Sequence, residues 1–140
     1  MKLSAKTEYA CLAMLQLAED YQTGEPVQIR RIAAKHGIPS RFLVQILLQL
    51  KGVGLVASTR GAAGGYRLAR PPHEVTLAEV IEVMEGDDRP ESNSSKPSPL
   101  ARALLYLCRE LGEAQHERLQ SITLADLVER AANREPMWYI

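Results

Sequence analysis

A mainly α-helical fold carrying one small two-stranded ribbon is predicted by three observations. Apolar residues recur at helical spacing in most of the chain. Two short strand-like runs, 55–58 and 66–69, flank a loop of small residues. The 140 residues are 46% hydrophobic, enough for a buried core in one domain, which excludes disorder for most of the length. The longest uncharged apolar run, 42–50, still holds two glutamines and falls well short of the ~20 residues of a membrane span. Two cysteines, Cys11 and Cys108, cannot form a disulfide framework, and Met1-Lys2-Leu3-Ser4 leads into a helical pattern without a signal-peptide core, so a cytoplasmic compartment is expected.

The first helix is predicted over 4–21, with Ser4 as N-cap and Ala10, Met14, Leu17 and Tyr21 on its apolar stripe. After a turn at 23–26, a short helix over 28–36 turns Ile29, Ile32 and Ala33 inward, and Gly37 ends it. Pro39 opens a third helix over 39–51, because a proline in the first turn leaves no amide unsatisfied. Phe42, Leu43, Ile46, Leu47 and Leu50 form its inward stripe, leaving Arg41, Val44, Gln45, Leu48 and Gln49 on the other side. The ribbon follows, with its loop at 59–65. A capping-box pattern, Thr76 to Glu79, starts a helix over 76–85. Residues 86–99 have no periodicity and read as a mobile loop. Ser98-Pro99 then caps a long helix running to about 120. Leu100, Leu104, Leu107, Leu111 and Ala114 give it a coiled-coil-like seam. A last short helix starts at 123–126.

Three helices followed by a ribbon make a winged helix-turn-helix domain over 1–73. A connecting helix and loop occupy 74–99, and the long helix with the short last helix occupies 100–140. Zero net charge conceals an asymmetry: residues 1–73 hold ten basic and four acidic side chains, net +6, and residues 74–140 hold seven and thirteen, net −6. The front half suits an anionic partner. Duplex DNA fits, since the second helix of such a pair offers its N-terminal turns to base edges in the major groove. Those turns carry Ser40, Arg41, Val44 and Gln45. Arg41 suits a guanine, Gln45 an adenine, and Val44 can only pack on a thymine methyl. Arg60, in its glycine-containing loop, suits the narrow minor groove. Gln49 on the same helix face and Gly61, Ala62, Ala63 and Gly64 of the wing complete the expected contact set.

Several stretches together resemble the Rrf-type family of winged-helix transcriptional regulators. They are Met1-Lys2-Leu3-Ser4 with Lys6 and Tyr9-Ala10, Ile32-Ala33 to Gly37-Ile38, and Phe42-Leu43-Val44-Gln45-Ile46-Leu47. Gly54-Leu55-Val56, Arg60-Gly61 with Gly64-Gly65-Tyr66-Arg67-Leu68-Ala69, Val75-Thr76-Leu77 and Ile122-Thr123-Leu124-Ala125-Asp126-Leu127 continue the match in order. The resemblance implies a homodimer joined by the long helix on a palindromic operator, acting as a repressor. It places base reading on Arg41, Val44 and Gln45, a minor-groove arginine at Arg60, and phosphate contacts on Lys2, Lys6 and Gln28. Two departures stand out. Val44 replaces a common glutamate, and Ala62-Ala63 replaces a common Pro-Gly. The apolar seam independently asks for a partner, either a second copy or the first helix of its own chain.

Many members carry three cysteines in the loop before the long helix, where they bind an iron–sulfur cluster. Here 86–99 holds Ser92, Ser94, Ser95 and Ser98 and no cysteine, so no cluster of the usual kind is expected. Glu8 and Cys11 are the residual ligand candidates. Cys11 and Cys108 both read as small core residues, and His36, His73 and His116 as surface residues. No nucleophile–base pair, metal spacing or phosphate loop is present, so an enzyme is not expected; the glycines at 61–65 precede a strand rather than a helix. Exposed Val44 and Leu48 leave open a second reading, a protein-interaction module, or a regulator that senses through an effector protein, a small molecule or a cysteine thiol.

Overall fold

Ser4 sets the start of the first helix: its hydroxyl accepts from the Thr7 amide at 3.2 Å, and α1 runs Ala5–Glu19. The computed structural model describes residues 1–86 and 90–134; residues 87–89 of the expected loop and 135–140 of the expected C-terminal unit lie outside the described residues. α1 is the central element. It buries Ala10, Ala13, Met14 and Leu17 and packs against the helices Ser40–Gly52, Leu77–Glu85 and Leu124–Arg134. It stops short of the expected Tyr21, which begins a 3₁₀ turn, Tyr21–Thr23.

α2, Ile29–His36, and α3, Ser40–Gly52, form the helix-turn-helix. Gly37, at φ 64°, lets the chain reverse while the Ile38 amide bonds back to the Ala33 carbonyl at 3.0 Å. β1, Val56–Thr59, pairs antiparallel with β2, Gly65–Leu68, in a register running from Val56 opposite Leu68 to Thr59 opposite Gly65. Val27 adds a bridge to Tyr66, with reciprocal amide–carbonyl bonds of 2.7 and 2.8 Å. The wing is thereby sewn to the segment that leads into α2.

α4, Leu77–Glu85, starts at Thr76, whose hydroxyl accepts from the Glu79 amide. The second half of the predicted capping box is not made, because the Glu79 carboxylate pairs with Arg70 instead. The reciprocal box occurs at α6, Leu124–Arg134, where Thr123 and Asp126 exchange bonds of 3.0 and 3.1 Å. The two helix starts pair with each other. Thr76 bridges Thr123, the Leu77 amide bonds the Ile122 carbonyl at 3.0 Å, and the Leu124 amide bonds the Val75 carbonyl at 2.9 Å.

α5, Pro99–Gln120, is capped by Ser98 as expected and extends ~33 Å at 1.5 Å per residue. None of its residues is buried. It leans on α4, where His116 Nε2 lies 3.4 Å from Glu82 Oε1. Leu100 is 83% exposed, and Leu104, Leu107 and Leu111 are each more than half exposed. The seam therefore does not pack on α1.

Four side chains depart from expectation. Phe42 is exposed rather than inward, since it precedes the buried row of Leu43, Ile46, Leu47 and Leu50 by one residue, about 100° around the helix. Cys108 is exposed rather than core, because α5 has no intrachain cover there. His36 and His116 are partly buried rather than surface residues, whereas His73 is exposed as expected.

Candidate nucleic-acid interface

α3 divides cleanly around its axis. Leu43, Ile46, Leu47 and Leu50 are buried, and Ser40, Arg41, Val44, Gln45 and Leu48 face outward. The inner row anchors the helix in the core, so the outer row is carried on a rigid element. The Arg41 guanidinium lies over the Phe42 ring, 4.9 Å from its centroid. This cation–π contact restrains a long side chain that would otherwise sample many rotamers. Gln49 is also exposed, but its amide nitrogen donates to the Val83 carbonyl at 3.0 Å. It ties α3 to α4, which leaves it less free than Gln45 to bond an outside partner.

In the wing, Arg60, Gly61, Ala62 and Ala63 are exposed and Gly64 is buried. The loop closes through a bond from the Gly64 amide to the Gly61 carbonyl at 3.0 Å. Gln28, expected to contact phosphate, donates its side-chain amide to the Ala62 carbonyl at 3.0 Å and so braces the wing tip from the start of α2. Arg41 and Arg60 have no carboxylate partner among the described residues. Arg31 and Lys35, by contrast, are neutralised by Asp20 and Glu19 at 3.2 and 3.0 Å. From residue 26 to residue 73 the sequence contains eight basic and no acidic side chains, a stretch that spans α2, α3 and the wing.

Lys2 and Lys6 are exposed around the start of α1. That end is fastened to α4 by Glu85, whose Oε1 accepts from the Thr7 hydroxyl at 2.7 Å and the Ser4 hydroxyl at 3.2 Å. The Thr7 bond is the main reason the Glu85 carboxyl lies below its ordinary pKa. Thr7 and Gln16 are both buried, and the sequence gives no signal of it. Either residue passes for an exposed position until the long-range partner is known.

The described segment around 90–98 does not fit an iron–sulfur cluster. It offers serine hydroxyls, the Glu91 carboxylate and the Asn93 amide but no thiol, and Ser92, Ser94 and Ser98 are engaged with nearby backbone groups. Cluster iron prefers thiolate. Cys11 is a poor substitute, because burial and then the Glu8 charge push its thiol up to about 11. Among the described residues no group of three or more His, Cys, Asp or Glu side chains could hold a metal ion. None of their helices is long and apolar enough to cross a membrane.

The family model for Rrf2, described as an iron-dependent transcriptional regulator, matches residues 3–130. The HTH-type transcriptional regulator CymR of Bacillus subtilis is 35% identical over 127 residues, covering 91% of this chain and 89% of CymR. The solved structure of B. subtilis CymR, the global cysteine regulator, superposes with a TM-score of 0.78 at 33% identity, covering 93% of this chain and 98% of that one. That of T. potens IscR superposes with a TM-score of 0.76 at 32% identity, covering 94% and 88% respectively. With its helix-turn-helix, braced wing and near end-to-end likeness to these proteins, the chain belongs to the Rrf2 family of transcriptional regulators.

Proposed function

We propose that this regulator is a homodimer that binds palindromic duplex DNA sequence-specifically and represses transcription, without an iron–sulfur cluster. One observation carries the reading: an acid-free helix, α3, turns Ser40, Arg41, Val44 and Gln45 outward beside a wing that carries Arg60, which has no carboxylate partner among the described residues. Arg41 supplies a planar donor fork for guanine and Gln45 an amide for adenine. Arg60 supplies positive charge for the minor groove. Lys2 and Lys6 add phosphate contacts that give affinity without sequence information. The uncovered leucine seam of α5 is the dimer contact, setting two reading helices about one duplex turn, ~34 Å, apart.

In vitro selection from randomised duplexes, followed by fluorescence anisotropy at about 150 mM salt, tests this. A palindrome bound with a Kd of about 10⁻⁸ M is expected. Arg41→Glu and Arg60→Glu should each weaken binding at least about tenfold, given the ~1–3 kcal/mol of a good bidentate base contact. Placed across a promoter, the selected site should block transcription when the protein is added. Failure to enrich any duplex overturns the reading.

A further inference from the structure

The outer face of α3 carries two apolar side chains that phosphate and hydrogen-bond contacts leave without a task. Val44 is 40% exposed and Leu48 55% exposed, one helical turn apart on the same side as Arg41 and Gln45. A helix under no other demand would place polar residues there. Neither residue contributes to the core beneath, which is filled by Leu43, Ile46, Leu47 and Leu50.

The surroundings choose the occupant. The ridge lies within the acid-free stretch from 26 to 73, beside an arginine whose guanidinium lies over the Phe42 ring, so its partner is a polyanion that also offers apolar groups. In the major groove the only apolar group on a base edge is the pyrimidine C5-methyl of thymine. We infer that Val44 and Leu48 form a methyl-reading ridge, which selects thymine in the operator through its C5-methyl rather than through a hydrogen bond. The inference rests on the DNA-binding reading above and names what that surface discriminates.

Its signature is separable from every hydrogen bond in the complex. Replacing thymine by deoxyuracil removes one methyl group and leaves the base-pair donors and acceptors in place. Burying a group of that size changes affinity about fourfold per contact, and about fifteenfold for the two symmetric half-sites together.

The experiment uses the full chain and the duplex recovered by selection, with each thymine pair replaced in turn by deoxyuracil and Kd measured by anisotropy. At least one thymine per half-site should show the loss. The same substitution should cost less than about 1.5-fold in Val44→Ala or Leu48→Ala, whichever residue touches that methyl. Both residues are exposed and alanine favours helix, so unchanged circular dichroism and melting are expected of the variants. If every deoxyuracil duplex binds like its parent, or if the loss persists undiminished in both variants, methyl reading is wrong and a protein partner is the occupant of the ridge. If selection yields no site at all, the DNA-binding reading falls and takes this one with it.

Discussion

His36 closes α2 at the turn into α3, where its Nε2 lies 2.9 Å from Oε1 of the buried Gln16. The Gln16 amide nitrogen already donates to Asp20 at 2.9 Å, so its oxygen is the acceptor and the imidazole N–H the donor. Partial burial, followed by the Lys35 charge, holds the imidazole below its ordinary 6.5, with Glu19 pulling the other way. The folded chain therefore binds fewer protons than the unfolded chain near that pH. The contribution of His36 to stability is present above 6.5 and is lost as pH falls toward the folded-state value. Urea-unfolding midpoints should stay level above neutrality and decline on acidification below about 6.5, with His36→Gln flattening that limb. A wild-type midpoint that ignores pH across this range would contradict it. Glu85, depressed by Thr7, adds a separate loss on further acidification below 4.5. Cys108 shows why single-residue burial is hard to read from sequence. Its place between Leu104 and Leu111 points to a core position, and the core it implies is a surface that one chain leaves open.

At the scale of elements, the helices are legible because an apolar stripe repeating every three or four residues lines one face of a helix and cannot line one face of a strand. Their ends shift by a residue or two where a side chain intervenes. Asp20, bonded to Gln16 and paired with Arg31, marks where α1 gives way to a 3₁₀ turn. What is not legible is the pairing of distant elements. The Thr7–Glu85 bond spans 78 residues, and the Thr76–Thr123 bridge joins two helix starts whose motifs look independent in the sequence. The candidate site follows the same division: Arg41, Val44 and Gln45 come from helical periodicity, whereas the engagement of Gln28 with the wing and of Gln49 with α4 needs the fold. The wing also depends on close backbone approach. A Cβ on Gly65 would collide with the Val27 carbonyl, and one on Gly64 with that of Thr59. Gly65→Ala should open the Val27–Tyr66 bridge, cost about 1–3 kcal/mol by denaturant unfolding, and weaken DNA binding through a displaced Arg60. Unchanged stability and affinity would show that the wing does not need that contact.

For the whole molecule, charge is divided between the two halves of the chain. The basic half carries the helix-turn-helix and the wing, and the acidic half carries α5 with its four exposed seam leucines. Leu104→Asp with Leu111→Asp should convert the sedimenting species from dimer to monomer while leaving the fold intact, since neither side chain is buried within one chain. DNA affinity should fall by about 10²–10³ as the second half-site contact becomes bimolecular. An unaltered sedimentation coefficient would rule out the seam as the dimer contact. The burial of Leu124 has a different kind of consequence, because α6 lies along α1 and joins its core. During synthesis α3 leaves the ribosome some seventy residues before α6, which covers one flank of α1. A nascent chain halted before residue 124 therefore shows chaperones and proteases an apolar strip that the longer polypeptide hides.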